Sequence, residues 1–318
     1  MEQTASKKKG IILTLLGGVC WGISGCFGQY LFQEKGATAE WLVSIRLLSA
    51  GILLVILGYM NTGKKMNAVF HNKKDLKDLL IFSFLGMLFC QYTYFAAVSY
   101  SNAGTATVLQ SLAPTIILIY VCVRQLRLPK GYELLAIAMA LLGIFLLSTH
   151  GNIHSMQLTN QALLFGLLSA LGATFYNLLV GNVMRKYGVY VVVGYSMLFA
   201  GIALSLIARP WKNGIPFDTM TIVCLVGVVV IGTAIAFSLY LKGVSILGAF
   251  MGSLLGATEP VTAIVVSALF LGSVFHWLDI VGFIFILSTV MLLSFCSMKQ
   301  SQAEVKDTTS EPIESGKE

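Results

Sequence analysis

Residues 246–271, ILGAFMGSLLGATEPVTAIVVSALFL, carry one ionisable side chain, Glu259, in an otherwise apolar or weakly polar run. At 1.5 Å per residue, a helix of that length more than crosses a hydrocarbon layer about 30 Å thick. The apolar residues are continuous and do not alternate. The segment therefore reads as a helix that satisfies its own backbone hydrogen bonds, and not as a barrel strand. Outward from it, comparable stretches recur at 11–32, 40–60, 78–99, 103–123, 132–149, 162–184, 188–208, 219–242 and 277–298. The expectation is an all-α membrane protein with ten transmembrane helices. Composition agrees: 57% of residues are hydrophobic and 11% charged, against about 25% charged in soluble domains.

The formal charge of +7 raises the question of an acidic partner, and the placement of the basic residues answers it. With the N-terminus cytoplasmic, only Lys35, Arg209 and Lys212 fall in outside segments and Arg46 falls within a span. The other basic residues, among them Lys7–Lys9, Lys64, Lys65, Lys73, Lys74, Lys77, Arg124, Arg127, Arg185 and Lys186, fall inside. The positive-inside rule accounts for this bias with both termini cytoplasmic and no nucleic acid as partner. It also explains the basic loop at 61–77 without specific binding to anionic lipid. The first span exceeds a signal-peptide core and lacks a small-residue cleavage site, so it is expected to remain attached. Cys20, Cys26, Cys90, Cys122, Cys224 and Cys296 all sit in predicted spans without a C-x-x-C pair, as small buried hydrophobes.

A shift of 146 positions superposes Gly86 on Gly232, Tyr94 on Tyr240, Val98-Ser99 on Val244-Ser245, Leu109 on Leu255, Pro114 on Pro260 and Leu146-Leu147 on Leu292-Leu293. A shift of 150 superposes Ala50-Gly51-Ile52 on Ala200-Gly201-Ile202. A shared frame of proline and glycine at one offset marks two homologous halves. Each half has five spans, an odd number, so the second enters the membrane from the opposite face. Inverted repeats of this kind characterise secondary transporters, with the substrate site near the midplane between halves. The expected division is a cytoplasmic N-terminus at 1–10, repeat 1 at 11–150, an extracytoplasmic loop at 151–161, repeat 2 at 162–298 and a disordered cytoplasmic tail at 299–318.

GGVCWGISG at 17–25, TATVLQSLAPTIILI at 105–119 and LGATEPVTAIVVSALFLG at 255–272 resemble the EamA-type members of the drug/metabolite transporter superfamily. The resemblance covers about residues 11–298. It implies a ten-helix transporter of a bacterial cytoplasmic membrane, made of two five-helix repeats, that exports or takes up metabolites or drugs. Many relatives carry Glu after the final Leu-Gly; Ser273 stands there instead, so no role for that acid carries over.

Glu259 is the one carboxylate well inside a span, and an intramembrane ionisable group is by default a functional candidate. It would bind a cationic group or serve proton coupling, or else form a structural salt bridge. Arg46 is its candidate partner, with an interfacial, snorkelling arginine as the alternative. Their repeat equivalents are Ala113 and Ser196, so both charges break the internal symmetry. Pro114 and Pro260 are expected to kink their helices. Trp21, Gln91, Tyr92, Tyr94, Gln110, Tyr176, Asn177 and Tyr240 offer aromatic faces and polar edges suited to a cavity, or to interhelical bonds.

Gly18 with Gly22, and Gly248 with Gly252 and Gly256, form small-residue stripes. They read as packing within one chain in preference to dimerisation, which leaves a monomer or a homodimer. His71, His150, His154 and His276 lie in predicted loops without adjacent acids, so no metal and no cofactor is expected.

The function expected is a secondary transporter for a small-molecule substrate, with efflux preferred by the resemblance. No P-loop is present to take ATP. An intramembrane enzyme would need H-E-x-x-H, paired aspartates or a serine with a histidine base, none of which occurs in a span. A non-transporting scaffold or accessory subunit is the competing class.

Overall fold

The computed structural model describes residues 2–152, 156–212, 214–247 and 249–310. His154, Gly248 and the end of the tail lie outside the described residues. The described residues form helices joined by short connections: α1 (Glu2–Lys35), α2 (Ala39–Thr62), α3 (Lys73–Tyr100), α4 (Ala103–Arg124), α5 (Gly131–Thr149), α6 (Asn160–Leu179), α7 (Val189–Ala208), α8 (Thr219–Leu247), α9 (Ala249–Gly256), α10 (Thr258–Leu271) and α11 (Trp277–Ser310). A short helix, Gly181–Tyr187, lies between α6 and α7. Side chains supply several N-caps, which satisfy amides that a new helix leaves free. Asn102 accepts from the Thr105 N–H at 2.8 Å and Asp218 from the Thr221 N–H at 2.8 Å.

Among the described residues, nine helices are long and apolar enough to cross a membrane. The expected single span at 246–271 differs: it is divided between α9 and α10, and α10 has only 14 residues. The cause is Pro260, which has no N–H and whose ring crowds the carbonyl four residues back, at Gly256, where α9 ends. The same event interrupts α4. Its first half ends at Gln110, four residues before Pro114, and a turn at Ser111–Leu112 precedes the resumption at Ala113. Two further irregularities have no signal in composition. A π-helical segment occupies Phe82–Leu88 within α3 and another Gly227–Ile235 within α8; such bulges bend a helix and release backbone groups. Helix α11 continues past Met298 to Ser310. Gln, Ala, Glu and Lys favour helix, and extending a formed helix carries no nucleation cost.

Helix α1 packs on α8 and α10, α6 on α3 and α4, α2 on α7, and α5 on α11. Phe82, Phe95, Leu42, Leu47 and Met197 are fully buried in the resulting core. The α1–α10 contact is close because Gly22 has no side chain: a Cβ there would lie 2.6 Å from the Glu259 carbonyl oxygen. Gly18 and Gly22 both face α10, so this stripe serves packing within the chain. Large apolar side chains such as Leu134, Leu141, Leu206, Ile207, Leu269 and Phe270 are exposed. In water so many would form a costly apolar surface, whereas lipid solvates them. All six cysteines are free thiols.

Polar pairs sit at the helix ends. The Arg127 guanidinium donates twice to Glu133, at 2.7 and 2.8 Å, which raises the arginine's pKa further above its ordinary value. Asp75 accepts from Lys186 and from the Tyr187 hydroxyl. Lys35 donates to Asp218, and that bond together with the Thr221 amide holds the Asp218 carboxyl well below the usual carboxylate range. His150 has no acidic neighbour in the sequence. It caps α5 with a left-handed backbone (φ 48°), and its Nε2 lies 2.6 Å from Asp279 Oδ1 at the start of α11, with the His276 ring stacked on it at 4.6 Å. Asp279 is 129 residues away in sequence, so only tertiary packing reveals this pair.

Candidate functional site

The helix breaks and bends surround a central cavity of about 380 Å³. Its walls come from α1 (Trp21, Gly25), α2 (Arg46), α3 (Cys90, Gln91, Tyr94), α4 (Gln110), α6 (Ala173, Tyr176, Asn177), α8 (Phe237, Tyr240) and the first turn of α10 (Glu259), together with Met184 and Val189. Nine of the ten aromatic, polar or charged side chains singled out in the sequence, Trp21, Arg46, Gln91, Tyr94, Gln110, Tyr176, Asn177, Tyr240 and Glu259, thus meet on one cavity. Tyr92 does not; its hydroxyl donates to Glu40 at 2.8 Å near a helix end.

One wall is aromatic. The Trp21 ring lies 5.2 Å from Phe237, edge on, and 4.8 Å from Tyr240. Tyr176 rests on Phe82 at 5.1 Å, beside the π segment of α3. The polar groups are held by their neighbours: Tyr94 Oη lies 3.0 Å from Thr107 Oγ1, Gln110 Nε2 donates to Cys90 Sγ at 3.5 Å, and Asn177 Nδ2 donates to the Ala173 carbonyl at 2.7 Å.

The two charges differ in their surroundings. Arg46 is 5% exposed, so it does not snorkel to an interface. Its guanidinium stands 5.0 Å over the Phe95 ring, and one terminal nitrogen donates a long 3.5 Å bond to the Gly232 carbonyl in the π segment of α8. Glu259 is partly exposed to the cavity and forms no ion pair with Arg46. The expected direct pairing of these residues is absent; they share a wall without touching.

Pro114 and Pro260 face a second cavity of about 260 Å³, which shares Gln110, Asn177 and Glu259 with the first. The space therefore branches at Glu259, between the two broken helices. Among the described residues, no three His, Cys, Asp or Glu side chains come together as metal ligands.

Gly25, Cys90, Ala173, Met184, Val189 and Phe237 were not singled out in the sequence. Four of them carry a signal that helical spacing supplies: Gly25 follows Trp21 by four, Cys90 precedes Tyr94 by four, Ala173 precedes Tyr176 by three and Phe237 precedes Tyr240 by three. Met184 comes from the short helix after α6 and Val189 is the first residue of α7, and no pattern marks them.

The EamA-like transporter family matches the chain twice, over residues 8–149 and 160–295. The chain is 38% identical over 298 residues to the uncharacterized inner membrane transporter YicL of Salmonella typhimurium, covering 94% of this chain and 99% of that one. An uncharacterized transporter of Clostridium kluyveri is 24% identical across 88% of this chain and 91% of its own length. A solved structure, described only as the crystal structure of a protein, superposes with a TM-score of 0.57 at 14% identity, across 93% of this chain and 99% of that one. That likeness concerns the fold alone, whereas the paired family matches and the 38% relative concern descent. The chain is a multi-pass membrane protein that belongs to the EamA-like transporter family.

Proposed function

We propose that this protein is a secondary transporter that moves a small organic metabolite or drug across a bacterial cytoplasmic membrane, in the efflux direction, by alternating access. The observation that carries the reading is the central cavity, to which both halves contribute and in which one acid and one guanidinium lie unpaired. A pocket with aromatic walls and a few convergent polar groups suits a small amphipathic ligand.

In this reading α9 and α10 together form a ninth span, which brings the total to ten, and the halves are inverted repeats. Three observations support it. The family matches each half separately. The π segments at Phe82–Leu88 and Gly227–Ile235, like the breaks before Pro114 and Pro260, recur at nearly the same offset. The helix contacts also interchange between halves: α1 on α8 answers α6 on α3, while α2 pairs with its counterpart α7, and α5 with α11. Such exchange is what a pseudo-two-fold axis produces.

Both termini are cytoplasmic in this reading. Each long-range pair then joins segments on one face: Asp75 and Lys186 inside, Lys35 with Asp218 and His150 with Asp279 outside. In that orientation Met184 and Val189, which border the cavity, belong to segments near the cytoplasmic face. The 38% identical relative is called an inner membrane transporter, which supports the location. Glu259 serves proton coupling, with the working unit a monomer or a homodimer.

Reconstitution into proteoliposomes tests the proposal. Saturable flux of an organic solute that depends on Glu259 is the expected result. A well-folded protein inert toward a broad metabolite panel would instead favour an accessory or scaffold role. Tag accessibility on intact cells checks the topology; ends on opposite faces would dismantle the inverted-repeat reading.

A further inference from the structure

We propose that the transported molecule carries a carboxylate, and that this group docks on the Arg46 guanidinium at the wall of the central cavity. The inference rests on the transporter reading above and names the substrate class of the same site.

A guanidinium has five N–H donors. At Arg46 the protein supplies one acceptor, the Gly232 carbonyl at 3.5 Å, and Nε has no partner although the residue is 95% enclosed. The Ser24 hydroxyl, 2% exposed and packed on Gly232, also lacks a partner. A buried charge with so few hydrogen bonds is costly unless something outside the protein completes it. Arg46 borders the cavity, and its terminal nitrogens, which are not among the enclosed unpartnered atoms, are the donors an occupant would meet.

Glu259 acts on the guanidinium only through space and supplies it no hydrogen bond or close ion pair. The two charges also differ in what they tolerate. A carboxyl group relieves an unfavourable setting by taking up a proton; a guanidinium does not lose one in proteins. A purely cationic ligand would serve Glu259 and leave the Arg46 donors with no acceptor beyond the Gly232 carbonyl. A carboxylate matches the planar fork with two parallel bonds, and the Trp21, Phe237 and Tyr240 wall accommodates an apolar body attached to it. Acids with and without an amine share this chemistry; in the first case the amine faces Glu259, and in the second a proton occupies it.

The test uses purified full-length protein in detergent and two probe series that keep the body constant and change the head. One is phenylpropanoate, phenylalanine, phenethylamine and phenylpropanamide; the other is isocaproate, leucine, isoamylamine and isocaproamide. Ligand-induced rise in melting temperature is titrated to millimolar concentration. Carboxylate-bearing probes are expected to act at concentrations at least about tenfold lower than the amine and amide of the same body. Arg46→Gln should erase that preference and Arg46→Lys should keep part of it. Phenylalanine binding that weakens in Glu259→Gln while phenylpropanoate binding does not would support the amine-bearing form. The assignment is overturned if the amine or amide matches the acids, if no acid binds in either series, or if folded Arg46→Gln retains the preference. The wild-type series decides the matter even if the variants misfold. Flux in proteoliposomes is read separately: acid preference without flux would sink the transporter reading alone, and flux without acid preference would sink this inference alone.

Discussion

The break before Pro114 in α4 and the break between α9 and α10 before Pro260 repeat one backbone device with different chemistry. In both, a helix stops four residues before a proline and resumes at once. In the first half the residue before the proline is Ala113, and its carbonyl accepts a 3.3 Å bond from the Thr174 hydroxyl of α6. In the second half that residue is Glu259, whose carbonyl is approached by Gly22 of α1. The frame is duplicated and the charge is not. The two halves carry matching helix breaks, whereas the single acid and the single guanidinium make the enclosed space asymmetric.

The largest effect is expected where that asymmetry is erased. Glu259→Gln should abolish flux driven by a pH gradient while the protein still inserts and purifies as a single species. Measured in proteoliposomes, an unchanged pH dependence would remove proton coupling from the proposal. The converse change adds the missing acid to the other half. Ala113 is 5% exposed, and Ala113→Glu should cost about 2.5–3.5 kcal/mol, the scale for a charge at a helix centre in the membrane. Expression and thermal unfolding read that cost; combined with Glu259→Ala it should not restore flux, and restoration would mean that the halves are interchangeable.

Smaller effects compare the contacts behind each break. Gly22→Val forces a side chain against the Glu259 carbonyl, where overpacking costs about 1–3 kcal/mol. A melting temperature equal to the wild type would show that α1 and α10 separate easily. Thr174→Val removes a hydroxyl whose one proton is shared between the Ala170 carbonyl at 2.9 Å and the Ala113 carbonyl at 3.3 Å, worth about 0.5–1.5 kcal/mol. Should its effect exceed that of Gly22→Val, the first break and not the second would be the more tightly held.

Much of this comparison is visible before folding is considered. Pro114, Pro260 and the constant offset mark both breaks, and Glu259 and Arg46 stand out because charge inside an apolar run is rare. The division of the ninth span is harder to read. Hydropathy sees continuous apolar composition at 246–271, and the conflict between the Pro260 ring and the Gly256 carbonyl is a matter of backbone geometry. The π segments at Phe82–Leu88 and Gly227–Ile235 are less visible still, since Phe, Leu, Val and Gly there suit an ordinary apolar helix equally well. His150 and Asp279 lie 129 residues apart, beyond any local pattern.

Residue order alone therefore determined the solvent, the helical class, the duplicated frame and the identity of the unusual charges, because length, apolarity and proline act locally along the chain. Tertiary structure alone decided that Trp21, Arg46, Gln110, Asn177, Tyr240 and Glu259 border one space, and that Arg46 and Glu259 do so without pairing. The reason is geometric. Whether two side chains on different helices touch depends on helix rotation and separation, which contacts such as Gly22 against Glu259 set across the whole bundle.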